Sequence, residues 1–284
     1  MMVGLQNWLK KIPKYKCLNK CKVMSLNVKT MQEWKAEGKN PEILFWVGSA
    51  GSFDERAKKI TRSFVKILNK ASVTFGVLGL EESCSGDVAK RAGNEFLFQM
   101  QAINNINILN SYNVKRIVAT CPHAFNTIKN EYPSLGGSYE VMHHTQFINL
   151  LIKEGRFEVK NENLNNNKIT YHDPCYLGRG NSIFNEPREL LKKIGADLIE
   201  MKRSKERSFC CGAGGAQMFK EPEKGDKDIN IERTEEALLT SAKIIATGCP
   251  FCNTMLTDGV KNKEKEAEVK VLDIAELISK ANNL

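Results

Sequence analysis

One ordered series of residues occurs twice in this chain of 284 residues, and a duplicated chain folds into two like units. Cys175 is followed by 34 residues, then by the pair Cys210-Cys211, and after 37 more by Cys249-Pro250-Phe251-Cys252. The N-terminal half keeps this order with other residues. Ser49 is followed by 34 residues, then by Cys84-Ser85, and later by Cys121-Pro122-His123-Ala124. Gly48-Ser49-Ala50-Gly51 occupies the place of Asp173-Pro174-Cys175-Tyr176, and Asn126-Thr127 answers Asn253-Thr254. Each series closes on an apolar strand running into a helix, at 140–148 and at 270–278.

Periodicity within each series reads as α/β. In the first half, strands are expected at Glu42–Val47, Val73–Leu78 and Arg116–Thr120. A loop is expected at Gly48–Gly51, with Asp54 capping a helix over Glu55–Leu68. A long helix over Asp87–Leu109 is interrupted at Gly93. In the second half, strands are expected at Lys168–Tyr171, Asp197–Glu200 and Lys243–Thr247, with helices at Pro187–Ile194 and Asp228–Thr240. The cysteines thus gather where strands end, which is where open α/β sheets place their sites. The expected architecture is two duplicated Rossmann-like α/β units related by a pseudo-two-fold axis. A basic arm (1–40) precedes the first unit (41–160), and an Asn-rich linker (161–167) leads to the second (168–284).

Composition excludes several classes. Hydrophobic residues make up 42% and charged residues 26%, a globular balance. A net charge of +9 with only 8% aromatic residues gives no footing for a nucleic-acid partner. Apolar stretches such as Ile43–Val47 are of strand length, so no membrane span is expected, and the N-terminus lacks the order of a secretory signal. A cytoplasmic location follows, or one peripheral to a membrane-bound complex. In a reducing compartment, nine cysteines point to metal or redox chemistry rather than to disulfides.

A Cys-x-x-Cys pair alone fits a thiol redox motif, half a zinc site or half an iron–sulfur site. Here it comes with Cys175 and with the adjacent Cys210 and Cys211. Neighbouring thiolates suit a polynuclear centre better than a tetrahedral zinc ion. Gly212, Gly214 and Gly215 follow at once and permit close backbone approach.

These stretches resemble the CCG-domain family of cysteine-rich iron–sulfur proteins. That family includes the catalytic subunit of heterodisulfide reductase, the iron–sulfur subunit of glycolate oxidase and the lactate-utilisation iron–sulfur protein. The resemblance covers nearly all of 41–280. It is most specific at Tyr171-His172-Asp173-Pro174-Cys175-Tyr176-Leu177-Gly178-Arg179, Phe209-Cys210-Cys211-Gly212-Ala213-Gly214-Gly215 and Thr247-Gly248-Cys249-Pro250-Phe251-Cys252-Asn253-Thr254. It implies a non-cubane [4Fe-4S] cluster held by Cys175, Cys210, Cys211, Cys249 and Cys252, one thiolate bridging two irons. It implies an oxidoreductase subunit working in a heterodisulfide-reductase-like or hydroxyacid-oxidation complex. The chain has no ferredoxin-like cysteine repeat, so the electron partner is expected to be a ferredoxin-type iron–sulfur subunit or a flavoprotein dehydrogenase. The competing expectations are a non-catalytic assembly or interaction subunit and a zinc-stabilised scaffold.

The first half departs from the family pattern at Ser49, Ser85 and Ala124. Cys84 and Cys121 remain, too few to hold a cluster, and are expected to pack as neutral thiols in a small, degenerate site. His172 and Asp173 are candidates to touch the cluster ligands, Asp173 alternatively capping the Pro174 turn. His143 and His144 are expected in surface or loop roles, Asp87 and Glu95 in capping or solvent roles, and Cys17 and Cys21 as ordinary thiols.

Overall fold

The computed structural model describes residues 26–160, 167–221 and 224–284. Cys17, Cys21 and most of the Asn-rich linker lie outside the described residues. In the first half, strands β1 (Lys29–Thr30), β2 (Ile43–Trp46), β3 (Phe75–Val77), β4 (Arg116–Ala119) and β5 (Glu140–His143) form one sheet in the order β1-β3-β2-β4-β5. In the second, β6 (Lys168–Tyr171), β7 (Asp197–Leu198), β8 (Ile244–Thr247) and β9 (Lys270–Asp273) form another, in the order β7-β6-β8-β9. Every pairing is parallel. Apart from β1, the two sheets have the same strand order.

The local causes are ordinary. Parallel strands are covered on both faces, so they read as unbroken apolar runs; Ile43-Leu44-Phe45-Trp46 is buried at all four positions. The helix Ala57–Lys70 buries Ile60, Phe64, Ile67 and Leu68 along one stripe. The long helix breaks as expected, into Asp87–Arg91 and Glu95–Ser111, and Asn94 caps the second piece by accepting from the Leu97 N–H at 3.0 Å. In the second half, the helices Ile229–Leu238 and Pro250–Asn262 cross closely at Gly259. A Cβ there would lie 2.0 Å from Thr234 Oγ1.

Two expectations need correction. The arm does not extend to residue 40, because Lys29–Thr30 is an edge strand on β3 and Met31–Ala36 a helix capped by Thr30. Asp54 caps the next helix as expected, its Oδ1 accepting from the Ala57 N–H at 2.7 Å, but Gly48–Gly51 is not a loop: Gly48–Phe53 is helical. The Glu82 side chain closes the N-terminus of Gly48–Phe53, its oxygens accepting from the N–H groups of Val47 (3.1 Å) and Gly48 (2.6 Å).

The halves share a core. Phe45, Phe64 and Phe147 of the first pack in one cluster with Tyr171, Leu190, Ile274 and Leu277 of the second. The packing is reciprocal. The helix Ala57–Lys70 lies on the closing helix of the second half, Ile274–Ala281, while the closing helix of the first, His144–Lys153, lies on Asn185–Lys193. Arg56 bridges the first contact, holding both oxygens of Glu276 at 2.9 and 2.7 Å. His143 and His144 are not at the surface; both are fully buried. His143 Nε2 meets the Gly248 carbonyl at 3.0 Å, and His144 Nε2 meets Asp273 Oδ1 at 3.0 Å. Both partners belong to the other half.

Candidate metal centre

Three loops that follow β6, β7 and β8 carry the five C-terminal cysteines to one place. The first is anchored by Asp173, which is buried. Its carboxylate takes both Arg188 Nη groups at 2.7 and 2.9 Å and the Lys205 N–H at 2.9 Å, while its carbonyl accepts from Ser208 Oγ at 3.2 Å. One side chain thus ties the Cys175 loop to the helix Asn185–Lys193 and to the segment leading into Cys210-Cys211. It does more than cap the Pro174 turn. In the second loop Gly212 takes φ +90°, a conformation that glycine reaches without strain, and its N–H points at Cys210 Sγ at 3.3 Å. Gly215 is left-handed too, at φ +66°. Gly214 faces the first half; a Cβ there would stand 3.9 Å from His123 Cε1. In the third loop Cys249 precedes the first turn of Pro250–Asn262 and Cys252 lies within that turn, so one helix start presents both thiols.

The sulfurs form a continuous string. Cys175 contacts Cys210, Cys210 contacts Cys211, Cys211 contacts Cys252, and Cys252 contacts Cys249. Cys211, Cys249 and Cys252 are buried, whereas Cys175 and Cys210 are half-buried. Two of the five, Cys210 and Cys249, favour the thiolate, while Cys175, Cys211 and Cys252 favour the thiol. The thiols of Cys175 and Cys211, with the Gly212 N–H, hold Cys210 far below the usual thiol range. Burial opposes ionisation of Cys249, yet the thiols beside it and the His123 charge pull it well down. Cys175 is pushed up by its bond to Cys210, and Cys252 by its bonds to Cys211 and Cys249. A donor set that favours thiolate at two positions and stacks further sulfur beside them is suited to thiophilic metal.

His172 borders this set: its ligating nitrogen and the sulfurs of Cys211 and Cys252 all lie within 4.8 Å of one another. Its ring orientation is fixed by Arg233, a fully buried residue that sequence reasoning missed. Arg233 Nε–H donates to His172 Nδ1 at 3.0 Å, and the guanidinium is held by the Arg203 carbonyl and Glu236, each at 2.9 Å. Burial, then the neighbouring Arg233 charge, press the His172 pKa down to about 3, so the ring is neutral. With Nδ1 accepting, the proton sits on Nε2, which has no protein partner. His172 is therefore a hydrogen-bond donor beside the sulfurs rather than a free lone pair.

The first half places different chemistry at the matching loops. Ser49 is exposed, Cys84 half-buried, and Ser85 and Ala124 buried. The space between them is a cavity of about 20 Å³, room for one water. Asp87 is buried there, not solvated; Glu95 is exposed as expected. Asp87 Oδ2 meets His123 Nδ1 at 2.8 Å, and Oδ1 takes Arg91 Nε at 3.2 Å. Burial opposes charge on both partners, but their mutual bond lowers the Asp87 pKa and raises that of His123. The His123 ring packs on Tyr176 and Phe251 of the second half, at 4.8 and 5.5 Å. Cys121 is buried in an apolar cluster with Trp46 and Phe125, and its sulfur also lies beside that of Cys249 in the other half.

Two repeats with cysteines at these loops define a cysteine-rich domain protein, and the cysteine-rich domain family, CCG, matches the chain twice, over residues 43–129 and 169–257. The chain belongs to that family. It is 49% identical over 255 residues to the probable iron-sulfur-binding oxidoreductase FadF of Bacillus subtilis, covering 89% of this chain and 36% of that protein. It is 46% identical over 251 residues to the EtfAB:quinone oxidoreductase of Syntrophomonas wolfei, covering 86% and 35%. One subunit of the dihydromethanophenazine:CoB–CoM heterodisulfide reductase of Methanosarcina barkeri is 35% identical over 250 residues, covering 86% and 59%. The chain thus spans about a third of the length of the first two relatives. Among the described residues, no helix is long and apolar enough to cross a membrane.

Proposed function

We propose that the second repeat holds one [4Fe-4S] centre, of non-cubane form, and that the chain is an iron–sulfur electron-transfer subunit or domain of an oxidoreductase complex. The observation that carries the reading is the convergence of Cys175, Cys210, Cys211, Cys249 and Cys252 from three strand ends into one string of sulfurs. Bound there, the centre supplies one-electron chemistry at a potential set by its surroundings. The protein's own groups do the rest. The five thiolates hold the metal, and Gly212 N–H and His172 Nε2–H offer hydrogen bonds to sulfur. Asp173 and Arg188 keep the first two loops in register. Phe251 and Met255 pack against the buried cysteines and limit water.

The relatives' names, a quinone oxidoreductase and a heterodisulfide reductase subunit among them, support electron exchange within such a complex, and we propose a ferredoxin-type iron–sulfur subunit or a flavoprotein dehydrogenase as the electron partner. We place the chain in the cytoplasm or on a membrane-bound partner. The shared strand order and reciprocal helix packing support two Rossmann-like units about a pseudo-two-fold axis. Anaerobic reconstitution followed by iron and sulfide analysis and paramagnetic resonance tests the centre. One four-iron centre per chain is expected, and Cys249→Ala should abolish or convert its spectrum. Stoichiometric zinc without iron in natively purified protein would overturn the reading.

A further inference from the structure

The first repeat retains two of the family's cysteines, and they behave differently. Cys84 is half-buried and accepts a backbone hydrogen bond from Gly86. Cys121 is buried, accepts backbone N–H groups from His123 and Ala124, and reaches Cys249 of the other repeat. Its loop is pressed onto the metal loops of the second repeat: Tyr176, next to Cys175, and Phe251, between Cys249 and Cys252, both pack on the His123 ring. Ala124 stands where a local partner for Cys121 would be, and the adjoining cavity admits one water. Cys121 therefore extends the string of five sulfurs to six, with Cys175 at one end and itself at the other.

We propose that the metal centre is shared between the repeats, with Cys121 of the ligand-depleted repeat as a sixth thiolate ligand beside Cys249. The Cys121 sulfur, beside the Cys249 ligand and with two amide donors directed at it, is placed to bind metal as well as to pack in the apolar core. The depleted repeat then has a chemical role, since it closes the open end of the site and makes metal binding depend on how the two repeats are docked.

The inference rests on the proposed iron–sulfur centre, and the experiment separates the two. Wild type, Cys121→Ala, Cys121→Ser, Cys84→Ala and Cys249→Ala are reconstituted anaerobically as full chains. Iron, acid-labile sulfide and resonance spectra are recorded before and after a chelator challenge. The expected result is that Cys121→Ala retains iron about tenfold less well than wild type and shows an altered spectrum, while Cys84→Ala matches wild type. If Cys121→Ala fails to fold by circular dichroism, the nearly isosteric Cys121→Ser decides, with the same expected change. Wild-type iron retention and spectrum in the folded Cys121 variant overturn the shared centre and leave the five-cysteine centre standing. A wild-type chain that takes up no iron overturns the proposed function itself.

Discussion

The two repeats keep one strand order and diverge at the loops beyond it. The second spends those loops on Cys175, Cys210-Cys211 and Cys249-x-x-Cys252, braced by the Asp173–Arg188 pair. The first has an exposed Ser49, a buried Ser85 and a buried Ala124, with an Asp87–His123 ion pair in the space between. Its matching loop is braced by Glu82 on two backbone N–H groups instead of by an ion pair. The scaffold is thus specified by the apolar strands and the shared core, and ligands can be lost from one repeat without loss of its fold. What the first repeat contributes lies across the boundary, where His143, His144, Cys121 and His123 all meet second-repeat residues.

The largest expected effect breaks the comparison on the second-repeat side. Asp173→Ala leaves Arg188, which is nearly buried, with only Glu200 as an ionic partner and frees the Cys175 and Cys210 loops from each other. A loss of about 3 kcal/mol in urea unfolding is expected, together with loss of bound iron. A variant that unfolds like wild type and keeps its iron would show that the cysteines, not the brace, organise these loops.

Glu82 gives the first-repeat counterpart, smaller and dependent on pH. Burial raises its pKa to about 7, against an ordinary 4.5, despite the two N–H groups that favour its charge. Between those values the folded state binds the proton that the unfolded state has released. Stability from this group is therefore complete below pH 4.5 and declines as pH rises towards 7. Glu82→Gln cannot ionise, so the wild type should lose about 1–3 kcal/mol relative to the variant between pH 4.5 and pH 8. Parallel unfolding curves at both pH values would show that Glu82 is ionised throughout.

Much of this architecture was legible in the sequence, and the failures have one cause. Strands at Ile43–Trp46, Arg116–Ala119, Lys168–Tyr171 and Ile244–Thr247 fell within the expected ranges because parallel strands buried on both faces are apolar throughout. The break at Gly93 was equally local. Lys29–Thr30 has no such pattern; two residues become a strand only by pairing with Gly76 and Val77. The helix Gly48–Phe53 is poor in helix formers and leans on Glu82, more than 30 residues away. His143 and His144 looked like ordinary polar residues because their partners, Gly248 and Asp273, lie in the other repeat. At the site, cysteine spacing exposed the five sulfurs, but Arg233 and the Asp87–His123 pair carry no motif. Asp87 reads in the sequence as a capping or solvent-facing residue, and only the fold supplies its partner, His123.

A third change should be nearly silent. Cys84→Ala removes a half-buried thiol that bonds only to the Gly86 amide among the described groups around it. About 1 kcal/mol of stability and no change in metal content are expected. A larger loss with wild-type metal would show that the small cavity is tightly packed; loss of metal would extend the shared centre to a second residue of the first repeat.

The finest test adds ligands instead of removing them. Ser49→Cys, Ser85→Cys and Ala124→Cys together would give the first repeat the same five cysteine positions as the second. If ligand identity alone separated the repeats, the triple variant would take up a second centre and its iron content would double. The geometry argues against this. The cavity holds about one water, Asp87 and His123 fill the space beside it, and Ser49 at its rim is exposed. Cys121, needed as one of the five, already faces Cys249. Opening room for a cluster would require breaking the buried Asp87–His123 pair and parting Phe251 from the His123 ring, both of which also support the second-repeat site. Iron and sulfide per chain should therefore stay at the wild-type value, with a spectrum to match. A doubling would mean that the first repeat is a complete site that has lost only its thiols, and that the packing around Asp87 and His123 yields readily to metal.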